Sequence, residues 1–254
     1  MKKLIDWIKK YLPTILVIIG LVTIYFIISK YELLSPFLFP PISAIVKSFL
    51  DSVPTMLLNM LYTFRLLIPS VLLSLLIGLF IGLALGMNKR LREILSPILY
   101  GFSVVPAILM SPFALLLAPS FYAASMFMVI YNTIWGTLFA TINGVMTIDK
   151  RYLEAADTLE IYGLKRLVKV ILPAASPTIL TGFISSLRGS FTILVFAEMY
   201  GSEYGLGYYV KKNAEYGLYN HVWAGFIFMA IILVIVMKVF EGIKNKALYW
   251  TIDQ

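Results

Sequence analysis

The chain has 254 residues, of which 60% are hydrophobic and 13% charged, and its mean hydropathy is +0.89. Soluble domains carry roughly 25% charged residues, so this composition excludes an ordinary water-soluble protein. Cysteine is absent, which excludes disulfides, thiolate metal sites and cysteine nucleophiles. The formal net charge is +8, but the basic residues lie between apolar runs rather than on one soluble face, which argues against nucleic-acid binding.

Six apolar runs are long enough to cross a bilayer core, which requires about 20 residues per helix. They lie near residues 12–30, 58–87, 94–118, 121–146, 176–198 and 222–240. The first run is too long for a signal peptide and no small-residue cleavage site follows it, so we interpret it as an uncleaved anchor helix. The pattern predicts an all-α, multi-pass membrane protein that forms one domain over 1–254, with its core helices in 58–240.

The basic residues predict how these helices are oriented. If the N-terminus is cytoplasmic, four basic residues fall in the outside segments: Lys30, Lys47, Lys211 and Lys212. Fifteen fall in the inside segments: Lys2, Lys3, Lys9, Lys10, Lys89, Arg90, Arg92, Lys150, Arg151, Lys165, Arg166, Lys169, Lys238, Lys244 and Lys246. Because cytoplasmic segments are enriched in lysine and arginine, we expect both termini in the cytoplasm.

Local signals refine the helix boundaries. Ser43 is a candidate cap for a short helix that lies on the outer interface ahead of the second span. Pro106 and Pro112 remove backbone hydrogen bonds within the third span, so that span is expected to be kinked and buried by its neighbours. Ser176 followed by Pro177 predicts the start of the fifth span.

Small residues recur every four positions in the second span. Gly78, Gly82 and Gly86 continue a row that begins with Ser70 and Ser74. Such a face lets another helix approach closely, so we interpret it as a packing surface, either within the chain or between two copies.

Residues 147–175 depart from the membrane pattern because charged and apolar residues alternate there at helical spacing. The segment predicts an amphipathic helix in two pieces around Gly163. Every other predicted cytoplasmic segment is short, so no loop of the chain can cover the apolar side. We therefore expect a separate cytoplasmic protein to cover it; the alternative is an amphipathic loop that lies on the membrane interface.

The same segment carries a recognisable motif. Glu154-Ala155-Ala156 is followed by Val170-Ile171-Leu172-Pro173, and further elements occur in family order: Phe39-Pro40-Pro41-Ile42-Ser43, Thr63-Phe64-Arg65, Pro97, Gly144, Glu198, Gly205-Leu206-Gly207-Tyr208 and Trp250. From about residue 38 onward the chain resembles permeases of the nitrate/sulfonate/taurine type of ABC importer. The resemblance implies the type I importer permease fold, a location in the cell inner (cytoplasmic) membrane, and an EAA loop that docks on a cytoplasmic ATPase.

The resemblance assigns the ATPase-coupling role to one set of residues: Glu154, Ala155, Ala156, Asp157, Leu159, Glu160, Gly163, Leu172 and Pro173. The family has a glycine six residues after the glutamate, where this chain has Glu160. We therefore expect the turn between the two short helices to be displaced toward Gly163.

Charged residues inside the spans are candidates for the translocation path, together with Pro106 and Pro112. Arg188 lies near the predicted midplane, where an uncompensated arginine costs about 2.5 to 3.5 kcal/mol. Two partners remain open for it, an anionic solute and a helix carbonyl freed by Pro106 or Pro112. Glu198 is expected at the outer mouth, beside an external loop formed by Gly205, Leu206, Gly207 and Tyr208. His221 has no second metal ligand nearby, and no metal site is expected.

The partners and cofactors follow largely from the resemblance. There is no phosphate-binding loop of the G-x-x-x-x-G-K-[ST] type, so ATP and magnesium are expected on a partner ATPase and none on this non-enzymatic chain. A second permease copy, identical or paralogous, an external solute-binding protein and membrane lipid complete the expected partners, with no nucleic acid.

The solute could be nitrate-, sulfonate- or taurine-like, or a vitamin precursor, and Arg188 favours an anion. The rival functions are an ion-coupled secondary transporter and a membrane scaffold.

Overall fold

The computed structural model describes residues 2–251, with side-chain environments from residue 12 onward. Met1, residues 252–254 and the side chains of the N-terminal lysines, on which the domain and orientation predictions partly rest, lie outside the described residues. Ten α-helices occur in the described range: α1 Lys2–Lys30, α2 Ile42–Met87, α3 Lys89–Val104, α4 Ser111–Leu117, α5 Phe121–Met146, α6 Lys150–Thr158, α7 Gly163–Arg166, α8 Leu172–Gly201, α9 Leu206–Glu215 and α10 Tyr219–Ala247. Five helices in that range can cross a membrane, or six if α3 and α4 form one bent span, which confirms the predicted fold class.

The helices group into two compact units. The first contains the residues up to Leu57 together with Tyr209–Phe228, and its aromatic side chains hold the turn before α2: the Tyr25 hydroxyl donates to the carbonyl of Pro40 and the Trp223 indole to that of Leu38, both at 2.9 Å. The second contains Leu58–Tyr208 and the residues from Met229 onward. The one-domain organisation stays a prediction.

Helix α5 packs between α2 and α8, and glycines line its contacts with both helices. The small-residue face of α2 lies against it: a Cβ at Gly82 would come within 2.9 Å of the Leu138 carbonyl oxygen, and one at Gly86 within 2.7 Å of Val145 Cβ. On the other side, a Cβ at Gly182 of α8 would lie 2.9 Å from the Gly136 carbonyl oxygen. The backbones of α2 and α8 therefore both approach that of α5 closely.

Helix α2 is one continuous helix, so the separate short helix capped by Ser43 is wrong. Ser43 lies in the first turn, and the helix continues through Ser48 and Ser52 without a break. Those residues have partners within the first unit: Ser48 accepts from the Asn220 side chain at 2.7 Å, and the Ser52 hydroxyl lies 3.0 Å from His221 Nδ1. A satisfied serine need not end a helix.

The kink predicted in the third apolar run is confirmed, and its predicted burial holds only at Ala107 and Ala114. Lys89–Val104 and Ala107–Leu117 meet at 84° around Pro106, and Pro112 lies in the first turn of α4, where a missing N–H costs little. No residue of α3 is buried, and Leu116 of α4 is 84% exposed. Lipid or another protein chain must therefore cover these helices.

The start of the fifth span also differs from the prediction. Ser176 is not an N-cap, because helical structure runs without a break from Gly163, and the Ser176 hydroxyl donates to the Pro173 carbonyl at 2.8 Å inside the helix. Leu167–Ile171 forms a wider π turn directly before Leu172 and Pro173. This turn accommodates a proline that would otherwise clash with the preceding turn.

Candidate functional site

The turn between the two pieces of the amphipathic segment stays at Glu160, so the predicted displacement toward Gly163 is wrong. Glu160 adopts a left-handed conformation with φ of +53°. Its N–H donates to the Asp157 carbonyl at 3.1 Å and that of Ile161 to the Ala156 carbonyl at 2.8 Å, the two bonds of a Schellman motif. Gly163 is also left-handed, at +58°, where the second piece begins.

Polar contacts fix the geometry of this segment. The Asp149 carboxylate caps α6 by accepting from the Arg151 N–H at 2.9 Å, and hydrogen bonds from Arg151 lower the pKa of that carboxyl. At the other end, Arg166 reaches back to Asp157 with an Nη1–Oδ1 distance of 2.6 Å, which ties the second piece to the first. The hairpin therefore holds its shape through contacts of its own.

Part of the apolar side of the hairpin is uncovered. Leu159 is 69% exposed and Leu164 75%, and Tyr162 and Val168 are exposed as well. Glu154 and Ala155 are also exposed, whereas Ala156 is only 2% exposed and packs against its own chain. Of the two alanines expected to approach an ATPase, only Ala155 is accessible on the free chain.

Three side chains hold the segment that begins α9. The backbone N–H groups of Gly205, Leu206 and Gly207 donate to Asn59 Oδ1 at 2.9 Å, Thr63 Oγ1 at 2.9 Å and Glu198 Oε2 at 2.8 Å, respectively. The first N–H groups of a helix have no partner within the helix, so these side chains satisfy donors that would otherwise be buried without one.

Close packing requires the two glycines of this segment. Gly205 has φ of +111°, and a Cβ there would overlap the Glu198 carboxylate, while a Cβ at Gly207 would lie 2.5 Å from the Val195 carbonyl oxygen. Glu198 is 2% exposed. The residues predicted to form an outer loop are thus a buried helix start, and Glu198 is its acceptor.

A cavity of about 520 Å³ lies beside this cluster. Its walls include Arg65, Ser120, Ser125, Glu198 and Tyr204. The cavity is thus lined by side chains of both charge signs together with hydroxyl groups.

Arg188 has a partner that the sequence analysis missed. Its Nη2 lies 2.9 Å from Oε1 of Glu241 on α10, and the two side chains are 64% and 45% exposed. Of the two partners left open for Arg188, the carbonyl freed by Pro106 or Pro112 is therefore the wrong one. Glu241 was missed because it follows the last residue of the predicted sixth span, 222–240, whereas α10 continues to Ala247.

Arg188 belongs to a polar stripe along α8. Thr181, Ser185 and Thr192 are exposed and share its face at helical spacing, a repeat that inspection of the sequence could have found. Two cavities of about 380 and 350 Å³ adjoin Arg188. Ser185 and Glu241 line the first cavity, Thr192 lines the second, and Arg188 lines both.

Comparison with known proteins gives consistent matches. The model of the "binding-protein-dependent transport system inner membrane component" family matches residues 74–245, more than half of the chain. The permease protein SsuC of Bacillus subtilis, named for aliphatic sulfonates, is 29% identical over 163 residues, 64% of this chain and 59% of SsuC. The nitrate import permease protein NrtB of Leptolyngbya laminosa is 27% identical over 140 residues, 55% of this chain and 50% of NrtB. The chain spans only about half to three fifths of the length of these relatives.

A solved structure supplies the fold. A chain of the MetNI methionine ABC transporter in inward facing form superposes with a TM-score of 0.64 at 18% identity, over 77% of this chain and 99% of that one. The architecture is therefore that of a multi-pass helical protein with the type I ABC importer permease fold. The chain belongs to the family of binding-protein-dependent transport system inner membrane components, and it is an inner-membrane protein.

Proposed function

We propose that this chain is the membrane-spanning permease subunit of an ATP-driven importer. The exposed apolar surface of the hairpin between α5 and α8 carries the proposal. Leu159 and Leu164 are each more than two thirds exposed in a segment whose charged residues keep it out of the bilayer core. A partner protein must cover these side chains, and a cytoplasmic ATPase subunit that binds ATP and magnesium fits that need.

Coupling in this proposal depends on a rigid hairpin. The Asp157–Arg166 ion pair and the Schellman turn at Glu160 make residues 150–166 move as one piece. Helical structure then runs without a break into α8, so a displacement of the hairpin reaches the helix that carries Arg188. Closure of two ATPases would in this way change access to the path, which a second permease copy completes.

The polar stripe on α8 is the proposed translocation path. An exposed arginine and glutamate cannot face lipid without a cost of several kcal/mol, so water or protein must cover that face. Sulfonate and nitrate, the solutes in the names of SsuC and NrtB, are both anions. We therefore propose a small anion, delivered by an external binding protein, as the solute.

The arrangement of the carboxylates favours this mechanism over an ion-coupled secondary transporter. Within the described spans, Glu198 accepts from the Gly207 N–H and Glu241 is paired with Arg188. Each of these two carboxylates therefore has a partner within the chain, whereas an ion-coupled carrier needs carboxylates that are free to bind and release the coupling ion.

Copurification tests the coupling surface. Tagged chain extracted in mild detergent should retain an ATPase with a phosphate-binding loop, and Glu154→Lys should release it because it reverses the charge on the exposed face. Glu93→Lys is the matched control, since it makes the same change at another exposed glutamate that forms a surface ion pair with Lys89. Retention of the ATPase by Glu154→Lys, or uptake without ATP, would contradict the proposal.

A further inference from the structure

The ion pair between α8 and α10 is built differently from a structural salt bridge. Arg188 and Glu241 are both largely accessible from outside the chain, at 64% and 45% exposure. Their contact is a single Nη2–Oε1 hydrogen bond, although a guanidinium carries five N–H donors in a planar fork. The remaining donors can therefore be reached by a solute.

The surroundings of the ion pair favour a negatively charged solute. The cavity of about 380 Å³ on one side is lined by Arg188, Glu241 and Lys244, so the basic groups outnumber the acidic one. Ser185 of the same cavity and Thr192 of the neighbouring cavity supply hydroxyl donors about one helical turn before and after Arg188. Because Arg188 lines both cavities, a solute in either one lies beside it.

We propose that Glu241 is the internal counter-ion of this path. It forms the ion pair with Arg188 while the path is empty and releases the guanidinium when an anion binds there. Planar oxyanions can contact an arginine fork through two oxygens, whereas Glu241 uses one, so an anion can displace it. A cation gains nothing from this exchange, because displacing Glu241 would expose it to an unneutralised guanidinium. The proposal rests on the proposed path and assigns its charge selection to the Arg188–Glu241 pair.

The natural absence of cysteine makes a direct test possible, because a single introduced thiol is the only one in the chain. Ser185→Cys and Thr192→Cys are placed separately in the complete transporter in membrane vesicles. Each is treated with two membrane-impermeant methanethiosulfonates, one carrying an anionic ethylsulfonate and the other a cationic trimethylammonium group. The measured quantity is the ratio of the anionic to the cationic reaction rate.

Glu241→Gln should raise that rate ratio about tenfold because it leaves the charge of Arg188 without its counter-ion. Arg188→Gln should lower the rate ratio below the value measured when Arg188 and Glu241 are both present. Val239→Cys is the control. Val239 is 55% exposed, and because it is two residues from Glu241 it lies on the opposite side of α10, away from the polar stripe. It should react slowly with both reagents.

A second measurement does not depend on how well the Glu241 variant folds. With both charged residues present, nitrate should slow the anionic reagent at Ser185→Cys and leave the cationic reagent unaffected, and Arg188→Gln should abolish this protection. An unchanged rate ratio in Glu241→Gln, or equal protection against both reagents, would overturn the counter-ion role. Failure of both thiols to react would show that a second copy, not water, covers the stripe. That result would overturn this inference but leave the ATPase copurification, and with it the proposed function, standing.

Discussion

Glu160 holds a backbone conformation that is costly for any residue with a side chain. Its φ of +53° lies in the left-handed region, which costs about 1 kcal/mol or more outside glycine. The turn persists because two backbone hydrogen bonds and the Asp157–Arg166 ion pair fix the residues on either side of it. The strain therefore lies in the hairpin that we propose contacts the ATPase.

Glu160→Gly should relieve this strain. We expect the hairpin to gain up to about 1 kcal/mol against local opening, reduced by the greater freedom of glycine in the unfolded chain. Hydrogen exchange of the Glu160 and Ile161 amides should slow two- to fivefold, about the factor that such an energy implies. The matched control is Leu159→Gly, one residue earlier, where φ is −87° and no strain can be released. Faster exchange in Glu160→Gly than in the unaltered chain would contradict the strain argument.

At the scale of elements, the packing of the helices depends on where glycine removes a side chain. Helix α5 contacts α2 through Gly82 and Gly86 and contacts α8 through Gly182. The start of α9 uses Gly205 and Gly207 in the same way against Glu198. Close backbone approach increases van der Waals contact, which must replace the hydrophobic effect between helices in lipid.

Gly207→Ala tests this packing. The added methyl group would lie 2.5 Å from the Val195 carbonyl oxygen, so the start of α9 must shift and weaken the Glu198 hydrogen bond. We expect a destabilisation of about 1 to 3 kcal/mol, seen as a lower thermal transition of the detergent-solubilised protein by fluorescence-detected size exclusion.

Gly101→Ala is the control for that experiment. A Cβ at Gly101 of α3 would have no neighbour within 4 Å, so the same substitution should leave the transition unchanged or raise it slightly. An equal fall in both variants would mean that glycine itself, rather than close packing, determines the effect.

At the scale of the whole molecule, the membrane topology decides which surfaces each partner can reach. The excess of basic residues in the predicted inside segments puts the hairpin between α5 and α8 in the cytoplasm, where an ATPase could dock. The same assignment puts the start of α2 on the outer side, which a binding protein could reach. The topology stays a prediction.

Thiol labelling tests this topology in the cysteine-free chain. Lys47→Cys, at an exposed position in the first turns of α2, should react with an impermeant maleimide in intact cells. Lys165→Cys in the hairpin should react only after the membrane is permeabilised. The reverse pattern would invert the chain and remove the proposed docking surface from the cytoplasm.

The sequence by itself determined the features that depend on local properties. Hydropathy located the apolar runs, Pro106 located the 84° bend, and alternating charges located the hairpin, because each signal acts within one or two helical turns. The motif residues identified the family. The left-handed turn at Glu160 was not foreseen, because the two hydrogen bonds that hold it compensate for the missing glycine.

Only the tertiary structure decided which distant residues meet. Arg188 and Glu241 are 53 residues apart in the chain, and hydropathy ended the last span before Glu241. Ser48 and Ser52 of α2 pair with Asn220 and His221 at the start of α10, and Ala156 packs against its own chain. The pairing energy of a charge or hydroxyl in a membrane protein depends on its three-dimensional neighbours, which spacing along one helix does not specify.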